Sequence, residues 1–300
     1  MNLKVEHLRI AFRFARGKDA KTSVPVRDVS FEIPENSRVA IVGESGCGKS
    51  LSALAIGGLV DRAEISGVIS RGDMRIAYIF QNPMQSLNPT IRCGAQIAEG
   101  TNWSKHEEKE KTAHLLEAVG LDISAAKKYP CELSGGQQQR VMIAMALAQE
   151  PDLLIADEPT TALDVTTQKE VLELIARLAD ERKTSILFIT HNLGLVAQYS
   201  DFVYVMYAGE VVESGKVVDV LSHPRHPYTK GLLAAVPSLD APKDAPLVGI
   251  KGVVPQPSAW PKGCAFHPRC PYARDYCSSD SFTVCPEMAE DKNHPTEEKS

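Results

Sequence analysis

The stretch Gly43-Glu44-Ser45-Gly46-Cys47-Gly48-Lys49-Ser50 decides the fold of this chain. It follows Arg38–Val42, which predicts a buried strand, and it precedes the apolar run Leu51–Val60, which predicts a helix. A glycine-rich turn in this setting aims backbone N–H groups at phosphates, and the helix adds its positive N-terminal end. In such a loop a lysine reaches the β- and γ-phosphates and a serine ligates Mg²⁺. We expect the nucleotide to contact Gly43, Glu44, Ser45, Gly46, Cys47, Gly48, Lys49, Ser50 and Leu51.

A second apolar segment, Leu153–Ala156, runs into two carboxylates, Asp157 and Glu158. A strand this apolar is expected inside a parallel sheet, and an open α/β sheet binds its ligand at the carboxyl ends of its strands. We therefore expect Asp157 to hold Mg²⁺ through a water molecule. Glu158 is expected to act as the general base, an effect typically worth ~10²–10⁴-fold in rate. The alternative is a pair of solvated acids at a strand end.

The third motif is Leu133-Ser134-Gly135-Gly136-Gln137, which precedes the helical run Val141–Gln149. Ser134 is a natural N-cap, and Gln137, three residues later, completes a capping box. The simplest interpretation is a well-capped helix. The glycines and the first-turn N–H groups also predict an anion-binding site.

These three motifs, in this order, resemble the ATP-binding subunit of an ABC transporter. The resemblance implies an α/β fold, with a P-loop NTPase core of the ABC type, an antiparallel β-subdomain and a helical subdomain. It implies ATP and Mg²⁺ as cofactors. It also implies a dimer in which residues Ser134, Gly135, Gly136 and Gln137 of one subunit reach the γ-phosphate held by the other. Only one motif set occurs in 300 residues, so the second ATPase subunit must be another chain, either identical or different.

The same resemblance implies roles for further residues. His191, which follows an apolar strand, matches the switch histidine that touches the γ-phosphate and orients the attacking water. Gln81 matches the Q-loop glutamine, which senses Mg²⁺, supports catalysis and contacts the permease. Asp164 matches the D-loop aspartate, which faces the partner subunit. Phe12 is expected to stack on adenine, with Phe14 as the alternative.

Three more segments, Gln81–Pro89, His223–Leu233 and Gly263–Pro271, resemble the oligopeptide/dipeptide importer subfamily. This resemblance implies the ATP-hydrolysing, energy-coupling subunit of a bacterial peptide importer. Its partners would be a second ABC ATPase, two transmembrane permease subunits and, indirectly, an extracytoplasmic substrate-binding protein. Two alternatives are a soluble ABC ATPase acting on nucleic acid or ribosomes and a redox- or metal-sensing regulatory subunit.

Charge and hydropathy indicate where in the cell this chain acts. The net charge is −5 and there is no long basic run, which weighs against a nucleic-acid partner. The apolar stretches are shorter than the ~20 residues of a membrane span. The first residues lack the apolar core of a signal peptide. We therefore expect a peripheral protein at the cytoplasmic face of the plasma (inner) membrane.

The domain organisation is predicted from the same patterns. Residues 1–235 form the nucleotide-binding domain, with the helical subdomain at about 92–150. A Pro-rich linker (236–262), a Cys-rich metal-binding extension (263–286) and a flexible tail (287–300) follow. The segment Ser66–Phe80 is shorter than the antiparallel arm that the family usually carries there, so we expect a shortened β-subdomain. Ala208-Gly209 predicts a hairpin turn.

The cysteines suggest two kinds of chemistry. Four of them lie within 22 residues of the extension, at Cys264, Cys270, Cys277 and Cys285. A cluster of this kind in a cytosolic protein predicts a [4Fe–4S] cluster or tetrahedral zinc. Unligated thiols are the alternative, and Cys285 is the least certain ligand. In the loop, the position of Cys47 at a helix N-terminus predicts a lowered thiol pKa; the alternative is a small residue tolerated in a turn.

Overall fold

The computed structural model of the chain describes residues 2–14, 21–161, 163–236, 249–279, 281–283, 285 and 288. The chain divides into two compact units. The first comprises Met1–Lys4, Glu32–Ala40 and Ser70–Thr190; the second comprises Val5–Phe31, Ile41–Ile69 and His191–Ser300. The predicted phosphate loop therefore belongs to the second unit, and the predicted catalytic carboxylates belong to the first.

The strands, in chain order, are β1 (Leu3–Phe14), β2 (Lys21–Ile33), β3 (Arg38–Val42), β4 (Glu64–Ser70), β5 (Ile76–Ile79), β6 (Leu153–Asp157), β7 (Ser185–Thr190), β8 (Phe202–Tyr207) and β9 (Glu210–Lys216). The helices are α1 (Lys49–Ile56), α2 (Pro83–Ser86), α3 (Cys93–Ala98), α4 (Lys105–Ala118), α5 (Gly135–Ala148), α6 (Val165–Arg182), α7 (Leu193–Tyr199), α8 (Val217–Ser222) and α9 (Pro227–Ala234). Short 3₁₀ turns lie at Ile123–Lys127, Pro130–Glu132, His267–Arg269 and Asp275–Ser278.

The first unit is built on parallel strands. β7, β6 and β5 are neighbours, with Ile76 of β5 opposite Leu153 of β6 and Leu153 opposite Ser185 of β7. All residues of β6 and β7 are buried, as expected for strands covered on both faces. The predicted catalytic carboxylates therefore stand at the carboxyl end of a central strand.

Helix α5 joins the sheet of this unit to the neighbouring helices. α5 packs against α2, α3, α4, α6 and strand β5. Its buried side includes Val141, Met142, Ile143 and Ala144. Helices α3 to α5 occupy the range predicted for the helical subdomain. The contact of that subdomain with a permease stays a prediction.

The second unit carries the strand order β4-β1-β2-β9-β8-β3. β8 and β9 are antiparallel and are joined by Ala208-Gly209, which confirms the predicted hairpin turn. Both turn residues have positive φ, 51° and 79°. A Cβ at Gly209 would lie 2.6 Å from the carbonyl oxygen of Pro25, so the turn requires glycine. β2 runs parallel to β9, with Asp28 opposite Glu210.

The described part of the predicted linker, residues 249–262, contains no helix or strand. It is nevertheless attached to β2. The backbone N–H of Val24 donates to the carbonyl of Pro257 (3.1 Å), and the indole N–H of Trp260 donates to the carbonyl of Val24 (2.8 Å). The predicted flexible tail, 287–300, lies outside the described residues except for Met288. None of the helices in the described ranges has the length and apolarity to cross a bilayer.

Candidate active site

The phosphate loop connects β3 to α1, as the sequence predicts. Gly43 has φ 151° and Gly48 has φ 97°. A Cβ on Gly43 would lie 2.2 Å from the carbonyl oxygen of Met206, so only glycine fits there. The helix is shorter than predicted: α1 ends at Ile56, because Gly57 caps it and Gly58, with φ 70°, turns the chain away.

The loop itself holds the side chain of Lys49 in place. Its side chain is buried, and Nζ donates to the carbonyls of Gly43 (2.8 Å) and Glu44 (3.0 Å). The N-cap of α1, Gly48, offers no side-chain cap, and the first turn contains no acidic residue. The first turn of α1 therefore adds no carboxylate of its own at the positive end of the helix, an arrangement that suits an anion. Ser50 is exposed at the start of the same helix.

Cys47 does not have the reactive character predicted from its position. Its side chain is fully buried, and burial raises the pKa of the thiol. Lys49 lowers the pKa, but its effect is smaller than that of burial. The prediction of a lowered pKa was wrong, because loss of hydration of the thiolate outweighs the nearby positive charge.

In the first unit, Asp157 is buried at the end of β6 and accepts a hydrogen bond from the hydroxyl of Tyr78 (2.9 Å). Burial raises the pKa of Tyr78, and the charge of Asp157 raises it further. The tyrosine is therefore a stable donor that orients the carboxylate. A carboxylate is a ligand of the type that Mg²⁺ prefers, and the role of Asp157 in holding Mg²⁺ stays a prediction. Sequence patterns did not single out Tyr78.

Glu158 is held in an unusual backbone conformation, with φ 44°. Its N–H donates to the carbonyl of Ile189 (2.8 Å). Its carboxylate accepts from the amide of Gln81 and from the hydroxyl of Thr161, both at 2.9 Å. The structure thus brings together two residues predicted to act in catalysis, Gln81 and Glu158. A left-handed residue kept in place by such contacts is common at functional sites.

The capping box predicted at the third motif is confirmed. The hydroxyl of Ser134 accepts from the N–H of Gln137 (3.3 Å), and the side chain of Gln137 accepts from the N–H of Ser134 (3.1 Å). Below it, the buried amide of Gln138 donates to the carbonyls of Pro130 (2.8 Å) and Leu133 (3.2 Å). Ser134, Gly135 and Gln137 remain exposed, whereas Gly136 is half-buried. The motif is therefore rigid at its base and accessible at its tip.

The remaining predicted residues are placed as follows. Asp164 is exposed and caps α6, accepting from the N–H (3.1 Å) and the hydroxyl (2.7 Å) of Thr167, and these bonds lower its pKa. His191 is exposed directly after β7. Phe12 is half-buried, and its ring centroid lies 6.5 Å from that of Phe14. Their roles toward nucleotide or partner stay predictions.

Two contacts to the loop come from the C-terminal segments that resemble the importer subfamily. The hydroxyl of Tyr228 accepts from the N–H of Glu44 (2.7 Å). The carboxylate of Glu44 pairs with Arg269. Sequence patterns alone give no signal for these contacts, because the partners are 184 and 225 positions apart.

The four cysteines of the extension give no structural support to the predicted metal centre. Within the described residues, which include all four cysteines, no group of three or more Cys, His, Asp or Glu side chains is arranged to hold a metal. The backbone N–H of Cys264 donates to the carbonyl of Cys277 (2.9 Å). Burial raises the pKa of Cys264 to about 11, with smaller contributions from Cys285 and Cys277.

Two family models match the chain. One, described as ABC transporter, matches residues 26–161; the other, described as oligopeptide/dipeptide transporter, C-terminal region, matches residues 212–277. The oligopeptide transport ATP-binding protein AppD of Bacillus subtilis is 46% identical, and the alignment covers 86% of each chain. The chain belongs to the ABC transporter family. The dipeptide transport ATP-binding protein DppD of Escherichia coli is 42% identical, over 93% of this chain and 91% of that protein.

Solved structures agree with the family. The ATP-binding cassette MJ0796, in a dimeric post-hydrolysis state with ADP and Pi, has a TM-score of 0.62 and 26% identity; the match covers 72% of this chain and 98% of that one. CbiO1 of Clostridium perfringens, part of an ABC transporter complex, gives the same TM-score and identity over 74% of this chain and 90% of that one. This ABC protein is therefore an ATPase of the transport type, with ATP and Mg²⁺ as its cofactors. Nothing in the comparisons supports a nucleic-acid ATPase or a metal-sensing regulator.

Proposed function

We propose that this chain is the energy-coupling ATPase of an importer for oligopeptides or dipeptides. The observation that carries the proposal is the similarity to AppD and DppD, together with the match of residues 212–277 to the transporter C-terminal region. The ATPase motifs alone are shared by transporters of many substrates, whereas this C-terminal match is specific to one group.

We assign roles in hydrolysis on chemical grounds. Lys49 and the loop N–H groups bind the phosphates, and Ser50 and Asp157 hold Mg²⁺, with Gln81 beside it. Glu158 accepts the proton of the attacking water, and His191 orients that water. The hydrogen bonds of Glu158 to Gln81 and Thr161 support this assignment, because they fix the direction of its carboxylate. Phe12 stacks on the adenine.

The ATPase acts with a second ATPase subunit. The exposed tip of the Ser134–Gln137 motif completes the partner's site, and Asp164 lies at the same interface. The rigid base of the motif supports this role, because an anion site must keep its N–H groups aligned. Either a second copy of this chain or a different ABC ATPase serves as the partner.

The other partners follow from an import function. Two permease subunits dock on residues 92–150 and the Q-loop, at the cytoplasmic face of the membrane, and an extracytoplasmic binding protein delivers the peptide. The nucleotide-binding domain covers 1–235 and carries a shortened β-subdomain, and residues 236–262 and 263–286 form a linker and a Cys-rich extension.

A [4Fe–4S] cluster or zinc in that extension remains a prediction without structural support. Anaerobic purification tests it: an iron–sulfur protein is brown, with absorbance at about 400 nm, and a zinc protein is colourless with stoichiometric metal. Metal-free anaerobic protein with a protease-resistant C-terminal segment would exclude both.

The function is tested by uptake of radiolabelled di- and pentapeptides in a strain that lacks the gene. The wild-type chain should restore uptake. Glu158→Gln keeps the shape of the side chain but not its basicity, so it should bind ATP and lose at least ~10²-fold in turnover. Glu181→Gln, at an exposed position on α6, is the matched control and should behave as wild type. Normal uptake of both peptides in the deletion strain would contradict the substrate class, and normal turnover in Glu158→Gln would contradict the base.

A further inference from the structure

The phosphate loop contains an acidic residue, Glu44, whose charge is matched by an arginine from the C-terminal segment. Nη1 of Arg269 lies 2.7 Å from Oε2 of Glu44, and Nη2 lies 3.0 Å from Oε1. This is a bidentate pair, the strongest geometry for a guanidinium and a carboxylate. The arginine side chain is 4% exposed and the glutamate side chain 31%. The pair is therefore shielded from water on the arginine side and open on the loop side.

The guanidinium of Arg269 is also held by backbone carbonyls and lies close to two aromatic rings. Nε donates to the carbonyl of Lys251 (2.9 Å), and Nη2 is within reach of the carbonyls of Ile250 (3.4 Å) and Gly252 (3.3 Å). The guanidinium carbon lies 5.8 Å from the ring centroid of Tyr207 and 6.0 Å from that of Phe266, at cation–π distance. The arginine thus presents its fork to Glu44 in one orientation.

A second contact holds the same loop residue by its backbone. The hydroxyl of Tyr228 accepts from the N–H of Glu44 at 2.7 Å. Tyr228 is fully buried, and its ring packs against Tyr207 (4.6 Å) and Phe266 (5.4 Å). One aromatic cluster, formed by Tyr207, Tyr228 and Phe266, therefore supports both contacts to Glu44. Tyr228 binds its backbone, and Arg269, which lies at cation–π distance from Tyr207 and Phe266, binds its side chain.

We propose that Arg269 and Tyr228 are positioning residues for nucleotide binding. Arg269 neutralises the Glu44 carboxylate, which would otherwise repel the phosphates of ATP, and both residues hold the loop in its binding shape. The C-terminal segment would then act directly on the ATP site of its own subunit. This inference rests on the assignment of the loop to nucleotide binding in the proposed function.

The test measures the dissociation constant of MgADP for the purified full-length chain by titration calorimetry. Arg269→Met keeps most of the side-chain volume and removes the charge, so affinity should fall about tenfold or more, because the Glu44 carboxylate would face the phosphates without its counter-charge. Glu44→Gln removes the need for the arginine. The double variant, Glu44→Gln with Arg269→Met, should therefore regain affinity to within about threefold of Glu44→Gln alone. Lys251→Met removes an exposed positive charge from the same segment and should bind as wild type.

Rescue by Glu44→Gln separates positioning from a general structural role, because a misfolded C-terminal segment would not be repaired by a change in the loop. Steady-state ATP hydrolysis in the assembled transporter is a second measurement. In Arg269→Met, KM for ATP should rise while kcat stays within about twofold of the wild-type value. Wild-type affinity in Arg269→Met, or no rescue in the double variant, would overturn the proposal.

Two milder variants keep the test open if Arg269→Met does not fold. Arg269→Lys keeps the charge but loses the fork, and Tyr228→Phe removes only the hydroxyl; each should weaken MgADP binding about threefold or more. Wild-type affinity in both would overturn the proposal. Lys49→Ala reports on the loop itself. Unchanged binding in that variant would contradict the nucleotide assignment, whereas lost binding there with unaffected Arg269 variants would contradict only the positioning role.

Discussion

His226 should make the second unit sensitive to mild acid. The residue is 3% exposed and is the N-cap of α9, where its Nδ1 accepts from the N–H of Tyr228 (3.1 Å). Burial lowers the pKa of His226 to about 4. Protonation of Nδ1 would turn the acceptor into a donor and break the cap. Glu213, which accepts from the backbone N–H of His226 at 3.0 Å, holds this segment from the other side.

The sign and size of the effect follow from proton linkage. In the unfolded chain a histidine has a pKa of about 6.5, so the unfolded state takes up a proton first as the pH falls. The contribution of neutral His226 to the free energy of unfolding is therefore fully present above about pH 6.5. It is lost as the pH falls from about 6.5 to about 4. The loss from this residue amounts to ~2 kcal/mol between pH 7.5 and 5.0, and roughly 3 kcal/mol in all.

The assay is urea unfolding at pH 7.5 and 5.0, compared between wild type and His226→Asn. Asparagine does not titrate and is a good N-cap, so the variant keeps the acceptor and removes only the proton uptake. Wild type should lose ~2 kcal/mol more than His226→Asn over this range. His106→Asn, at an exposed histidine, should show the wild-type dependence. The same pH dependence in wild type and His226→Asn would refute the reasoning.

Three further outcomes are expected. Tyr78→Phe removes the donor to Asp157 and should weaken the apparent Mg²⁺ affinity in ATPase assays about fivefold, since one hydrogen bond is worth about 1 kcal/mol; an unchanged Mg²⁺ dependence would contradict its role. Maleimide should label exposed Cys131 quickly and buried Cys47 only after unfolding, as read by mass spectrometry; equal rates would contradict the burial of Cys47. Gly43→Ala would place a Cβ 2.2 Å from a backbone carbonyl and should lower the free energy of unfolding by several kcal/mol, on the order of the largest single-residue effects; an unchanged melting temperature would contradict the steric argument.

Sequence reasoning succeeded where a feature depends on residues close together in the chain. The strand before the phosphate loop, the capping box at Ser134 and the hairpin turn at Ala208-Gly209 are all as predicted. Each is controlled by backbone conformation and hydrogen bonds within a few residues. The order of the three motifs also led to the family that the comparisons show.

Predictions that depended on the three-dimensional surroundings of a side chain were less successful. The position of Cys47 at a helix N-terminus predicted a lowered pKa, yet burial raises it. The spacing of four cysteines predicted a metal centre, yet the described residues form no such group. Spacing along the chain indicates which residue types lie near one another in sequence. It does not determine how their side chains are arranged in the fold or how far they are exposed to water.

The sequence by itself determined the fold family, the conformation of the loop between β3 and α1, and the order of the motifs from which catalytic residues are predicted, because short motifs impose their own local geometry. Only the tertiary structure decided what surrounds them. The contact between Arg269 and Glu44 joins residues 225 positions apart and needs the aromatic cluster to bring them together. The hydrogen bond from Tyr78 to Asp157 likewise depends on two parallel strands in register. Charge pairing and burial depend on distances in space, so neither is determined until the chain has folded.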